Sequence, residues 1–315
     1  MSAPEPRDPQ LTVVVAVTGG TTHLEACLAA LEEQRDAPDF EIVVPIDDSL
    51  ADAPRWIEAH PSVRFPRIEA SPTGKAASAD GERHLAYDRR RAAGIAHARA
   101  PIVALTEDHA RPAPDWCQRI GSAHRAHSHP AIGGAILNGN RGRVARAVFR
   151  CDFGRYCPPL DAGPANFVSD VNVSYKREVL NAVAETWRDG YHETGVHGAI
   201  RGRGELLWLD PSIVVEQRRG PIGLLPSLRE RYAWGRLYAG KRTREVTRFR
   251  RAVLALLSPL LPLLLFSRQL RSDLQHPRSD SIALLPLVAL LLCAWSLGEA
   301  VGYWTGRPVA GTEDP

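Results

Sequence analysis

Cysteine is sparse in this sequence, and what there is does not group. The five cysteines among 315 residues, Cys27, Cys117, Cys151, Cys157 and Cys293, are scattered. Cys151 and Cys157 stand six apart, outside the usual metal-ligand spacings, and no disulfide framework suggests itself. A reducing compartment is expected. The N-terminal MSAPEPRDPQ lacks the basic-then-apolar layout of a signal peptide, so the bulk of the chain is expected in the cytoplasm. Internal repeats are lacking as well. Net charge is small: 39 Lys and Arg against 36 Asp and Glu leave +3, too little to imply nucleic-acid binding. At 24% charged residues, the chain is neither a disordered tail nor wholly embedded in a membrane.

What is present is an alternation. LTVVVAV (11–17) is a continuous β-branched run, as in a strand buried on both faces. HLEACLAALEEQ (23–34) places Leu24, Leu28 and Leu31 at helical spacing. EIVVPID (41–47) is a second buried strand, RRRAAGIAHARA (89–100) a helix and PIVALTED (101–108) a third strand. This order predicts an α/β fold with a mostly parallel central sheet flanked by helices. In open α/β sheets ligands gather beyond the carboxyl ends of the strands. Thr18-Gly19-Gly20, Asp47-Asp48 and Glu107-Asp108-His109 are therefore expected on one rim.

The later chain is less regular. AIGGAIL (131–137) reads as a strand with a close backbone approach at Gly133-Gly134, FVSDVNVSYKREVL (167–180) as strand into helix, ETGVHGAIRGRG (193–204) as a short helix, and LLWLDPSIVVEQ (206–217) as extended chain. After Arg251 the composition turns apolar. Residues 252–266 hold 15 uncharged residues broken by Pro259 and Pro262, and 282–304 hold 23 whose only charge is Glu299. The second run is long enough to span a bilayer; the first reads as a kinked span or a re-entrant segment. The basic stretch from Arg218 to Arg251 points to a membrane surface and places the preceding domain on the cytoplasmic side of an inner or plasma membrane. The expected layout is a loose leader (1–10), an α/β domain (11–220), a basic juxtamembrane segment (221–251), a membrane-associated helical hairpin (252–305) and a tail (306–315).

The series LTVVVAV, EIVVPIDDS, RRAAGIAHARAPIVALTEDHARPAPDW, VNVSYKREVL and HETGVHGAIRGRG resembles family 2 glycosyltransferases of the GT-A fold, over roughly residues 11–220. The resemblance implies transfer of a sugar, in hexosyltransferase fashion, from a nucleotide-sugar donor to a hydroxyl acceptor that is membrane-proximal or lipid-linked. Asp47-Asp48-Ser49 occupies the place of the turn whose aspartate contacts the nucleoside. Glu107-Asp108-His109 occupies that of the metal-diphosphate motif. It implies a divalent cation, Mn²⁺ or Mg²⁺, held through Glu107 and His109 with Asp108 on the donor. The imidazole favours Mn²⁺ over the harder Mg²⁺. Glu193 matches the catalytic base, Thr18 and Arg91 match donor contacts, and Asn172, with Lys176 nearby, falls on the acceptor side. The tryptophan of the processive synthases' QxxRW motif is missing from EQRRG, which argues against a long processive product.

Each residue also has a plainer reading. Asp47-Asp48 can form a turn or helix cap. Glu193 can be a first-turn glutamate favoured by the helix dipole. His192 and His197 read as surface or packing histidines, and Trp116, Trp208 and Trp234 as core or interfacial anchors. Two other functions compete: a membrane scaffold that keeps the fold but has lost its metal site, and a nucleotidyltransferase. The second is disfavoured because AVTGGTTHLE carries no lysine or arginine.

Overall fold

The computed structural model describes residues 8–18, 21–69, 79–243, 246–275 and 281–306. Gly19 and Gly20, most of the leader and nearly all of the tail lie outside the described residues. In chain order come β1 (Leu11–Ala16), α1 (Thr21–Glu32), β2 (Phe40–Val43), α2 (Ala53–Ala59), α3 (Ala79–His97), β3 (Ile102–Glu107), β4 (Ala110–Pro112) and α4 (Trp116–Ala126). Next are β5 (Ala131–Asn138), α5 (Arg143–Phe153), β6 (Gly163–Ala165), β7 (Val173–Lys176), α6 (Arg177–Ala182), α7 (Glu193–Gly202) and β8 (Leu207–Gln217). The rest is helical: α8 (Leu224–Arg242), α9 (Arg248–Leu257), α10 (Leu261–Gln275) and α11 (Ser281–Thr305).

Among the described residues the strands form one sheet in the order β2-β1-β3-β7-β5-β8-β4, with β6 added to β8. The first three strands pair in parallel, as their alternation with helices requires. Beyond β3 the expectation of a mostly parallel sheet fails. Strand β7 runs antiparallel between β3 and β5, and β4 and β6 both run antiparallel to β8, so the sheet is mixed. Antiparallel neighbours need no crossover helix.

Every residue of β1 is buried, which accounts for its unbroken β-branched run. One core cluster gathers Val14, Val103, Leu105 and Tyr175 from the sheet with Ala92 and Ile95 of α3 and Val196 and Ile200 of α7. The close approach expected at Gly133-Gly134 is present. A Cβ on Gly133 would collide with Val168, and one on Gly134 with the Ile213 carbonyl and the Asn172 amide. The β5–β8 register shifts between Gly134 and Ala135, where that approach occurs.

The chain divides into two compact units. One comprises Met1–Ser71, Leu85–Gly139 and Tyr156–Arg218 and carries the sheet. The other comprises Pro72–His84, Asn140–Arg155 and Arg219–Pro315. The single domain expected over 11–220 is thus interrupted. Ala147 and Val148 of α5 pack on Val288 and Leu291 of α11. The basic segment after 220 is mainly α8, which lies backbone to backbone along α11. A Cβ on Gly298 would strike the Tyr232 carbonyl, and one on Gly235 the Trp295 carbonyl.

Candidate active site at the strand ends

The carboxyl ends of β1 and β3 lie side by side, with Ala16 opposite Glu107. One residue further on, Asp108 is fully buried, and its Oδ1 accepts from Thr18 twice: from the backbone N–H at 3.1 Å and the hydroxyl at 2.7 Å. The Thr18 Oγ1 also lies 2.7 Å from Nδ1 of His109. A hydroxyl carries one proton. Given to Asp108, it leaves Oγ1 to accept from Nδ1–H, so His109 keeps its lone pair on Nε2. Burial by itself would raise the Asp108 pKa, but the bonds from His109 and Thr18 outweigh it and hold the carboxyl below its usual range. Asp108 is therefore an ionised, buried carboxylate. Its Oδ2 has no hydrogen-bond partner. Such an atom is costly to keep without a water, ion or ligand to satisfy it.

Glu107 does not share this position. Its Oε2 accepts from the Tyr87 hydroxyl at 2.7 Å, and its Oε1 accepts from the Gln217 amide. Burial pushes the Tyr87 hydroxyl well up, so it stays a donor. Both oxygens of Glu107, expected to help hold a metal, thus each accept a hydrogen bond inside the protein. Among the described residues no three His, Cys, Asp or Glu side chains are grouped to hold an ion. The Asp108 Oδ2 atom and the His109 ring remain as the candidate donors at this end of β3. The His23 ring lies 4.4 Å from that of His109.

Arg91 is likewise reassigned. It is buried, paired with Asp170 at 2.5 Å, bonded to the Tyr87 hydroxyl and stacked 3.8 Å from the Tyr87 ring centroid. A guanidinium so enclosed cannot reach a donor phosphate. Its neighbour Arg90 faces the rim instead, clasping Asp47 through Nε and Nη2 at 2.9 and 3.0 Å and donating to the Val17 carbonyl at 2.7 Å. Asp47 also accepts from Ser49 N–H at 3.0 Å, and that ionic clasp holds its carboxyl low against the opposing effect of burial. Asp47 thereby pins the β2 end to β1 and α3. Asp48 is 82% exposed, 3.6 Å from Arg67. Of the two aspartates, Asp48 is the exposed one.

Asn172 is an internal strut. Its amide donates to the Ala135 and Ile213 carbonyls at 2.8 and 2.9 Å, and its oxygen accepts from Trp116 Nε1 at 2.9 Å. Buried and fully engaged, it has no face for an acceptor, contrary to expectation. Lys176 is also bound to the fold, donating to the Ser128 carbonyl at 2.7 Å. Glu193 opens α7, half-buried, directly after His192, whose Nε2 lies 3.2 Å from the buried Asp88. Sequence reasoning did not single out Tyr87, Asp88, Arg90 or Asp170. A signal was present for two of them: Tyr87 and Arg90 lie at i and i+3 on α3, the helix that leads from the strand carboxyl ends into β3, with Arg91 at i+4. Of the surface and packing readings, His197 takes the packing one. It is buried, its Nε2 2.7 Å from the Tyr175 hydroxyl.

The chain matches no protein-family model and no curated protein sequence.

Proposed function

We propose that the protein is an inverting glycosyltransferase of the GT-A type, using a nucleotide-sugar donor and a membrane-proximal or lipid-linked hydroxyl acceptor on the cytoplasmic face. The observation that carries the reading is the unpartnered Oδ2 of ionised Asp108 at the end of β3. It stands beside Thr18 and His109 on the rim where an α/β sheet binds its ligands. Asp108 and His109 would hold a divalent cation, which would supply positive charge to the departing diphosphate. Thr18 orders both ligands by donating to one and accepting from the other. Because Oδ2 is buried, the side chains that cover it must shift when the site loads.

In the reaction the acceptor oxygen forms its bond to the anomeric carbon as the bond to the donor phosphate breaks. The bonding pair departs with the nucleoside diphosphate, and the acceptor proton passes to Glu193. A single displacement of this kind inverts the anomeric centre. Asp48 faces the nucleoside, while Asp47, Arg90 and Ser49 hold the loop that presents it.

The test is thermal unfolding with UDP, GDP and dTDP, each with and without Mn²⁺. A ligand at about a hundredfold its dissociation constant stabilises by about 2.7 kcal/mol. Stabilisation requiring both nucleotide and Mn²⁺ supports the reading. One observation favours a second reading, a fold kept as a membrane scaffold: Glu107 is fully engaged inside the protein. No shift with any nucleotide, and no sugar transfer, moves that reading to first place.

A further inference from the structure

Two helical stretches, Arg248–Arg268 and Ile282–Thr305, are long and apolar enough to cross a membrane by length and composition. We infer that neither crosses: α9, α10 and α11 lie in the plane of one leaflet of an anionic bilayer, apolar side down. The inference stands apart from the chemistry at the sheet rim.

The partners of α11 carry it. Along its N-terminal half α11 packs on α5, where Val288 and Leu291 meet Ala147 and Val148. Along its C-terminal half it packs on α8, with Gly298 and Gly302 against the backbone of Tyr232 and Arg236. Neither partner belongs in hydrocarbon. In eleven residues α5 holds Arg143, Arg146, Arg150 and Asp152. In α8 stand Arg229, Glu230, Arg231, Arg236 and Arg242. The two helices are joined by an ionic cluster: Arg231 bonds Asp152 at 2.5 Å, and Arg219 reaches Glu230 at 3.3 Å and Asp152 at 3.7 Å. Carrying α11 across a bilayer would take these charges to membrane depth or strip away both partners.

The open side of α11 agrees. Ile282, Pro286, Leu290, Cys293, Leu297 and Trp304 are exposed in one stripe along its length, with Ala283 and Thr305 exposed beside it at the two ends, while Leu284, Val288, Leu291 and Tyr303 are buried. The stripe leaves α11 one apolar face open from end to end, opposite the face covered by α5 and α8. Next to it α9 and α10 run through the turn Ser258–Leu260 and expose Phe249 at 80%, Leu256 at 72% and Leu263 at 71%. Exposed arginines bracket this surface at both ends, Arg248 and Arg250 before it, Arg268 and Arg271 after it. Basic groups at both ends keep both ends at the same charged face, so an anionic lipid headgroup layer is the complementary partner.

The test places a nitroxide at Ile282, Leu290, Leu297 or Trp304 through single cysteines in a Cys293→Ser background. The full chain is bound to vesicles of phosphatidylcholine with and without phosphatidylglycerol. All four labels are expected at one depth, about 5–10 Å below the headgroups. Binding is expected to be tighter with phosphatidylglycerol and about thirtyfold weaker for Arg248→Gln/Arg250→Gln. A profile deepest at Leu290 and Leu297 and shallow at both ends overturns the inference in favour of a span. Labels that stay in water, or no binding to either vesicle, overturn it too and leave the face to another protein. Should labelled variants fold poorly, Ser279→Cys, between α10 and α11, can be probed with an impermeant maleimide. It is expected to react from the same side of sealed membranes as an N-terminal tag, and reaction from the opposite side sinks the proposal.

Discussion

Asp108 and Thr18, 90 residues apart in sequence, are joined at the strand ends by two hydrogen bonds to a single carboxylate oxygen. The arrangement satisfies Oδ1 twice and leaves Oδ2 bare, which separates the structural half of the carboxylate from its binding half. Two substitutions of equal size test this division. Asp108→Asn is expected to abolish Mn²⁺-dependent stabilisation by nucleotide. Glu107→Gln is expected to preserve it, because neither oxygen of Glu107 is open. Loss of the Mn²⁺ effect in Glu107→Gln alone, at unchanged stability, would restore Glu107 as a ligand.

Arg91 ties α3 to Asp170 in the interior. Removing one member of a buried pair costs about 3–5 kcal/mol, because the other is left uncompensated. Arg91→Met is therefore expected to lower the chemical-denaturation midpoint strongly. Nucleotide affinity, measured where the variant remains folded, is expected to stay near that of the wild type. A variant of full stability with weakened nucleotide binding would return Arg91 to the donor phosphates.

Asn172 has three partners to lose. Asn172→Ala leaves Trp116 Nε1 and the carbonyls of Ala135 and Ile213 without their bonds. Each unsatisfied buried group costs about 1–3 kcal/mol. Loss of stability without any change in acceptor KM, in whatever fraction folds, is the expected result.

Much of this was legible beforehand. The β-branched run at 11–17 and the apolar runs at 41–47 and 101–108 dictate buried strands, and helical spacing dictates the segments between them. From those alone, Thr18, Asp47 and Asp108 fall on one rim. The partner of each carboxylate could not be read from spacing. Arg90 and Arg91 are adjacent and chemically identical, and only the rotation of α3 decides that one faces the rim and the other the core. Asn172 looked like a ligand residue for the same reason: an asparagine at a strand end serves backbone or ligand equally well until the Gly134 bulge is seen beneath it. The mixed sheet was hidden because β4, β6 and β7 are only three or four residues long, too short for a hydrophobic period to declare direction.

His124 gives a pH prediction. Burial, with Lys176 nearby, lowers its pKa from 6.5 to about 4, against a weaker raising effect of Ser174. The unfolded chain therefore takes up the proton first. Stability is fully present above about pH 6.5 and falls as the pH drops toward 4, the range set by those two values. His124→Gln, which can still bond Ser174, is expected to flatten this part of the stability profile. An unchanged slope would place the loss on other groups.

Glu193 carries the strictest test of the chemistry. It opens α7, where the helix N-terminus favours a carboxylate. Glutamine matches its size and cannot take the proton. Glu193→Gln is thus expected to lower kcat by about 10²–10⁴ while nucleotide and Mn²⁺ still stabilise the protein. The neighbouring pair His192 and Asp88 sharpens the outcome, since an imidazole held by a buried carboxylate is also a competent base. If Glu193→Gln retains full transfer and His192→Gln does not, the proton goes to His192. The site at the strand ends then stands with its base moved by one residue.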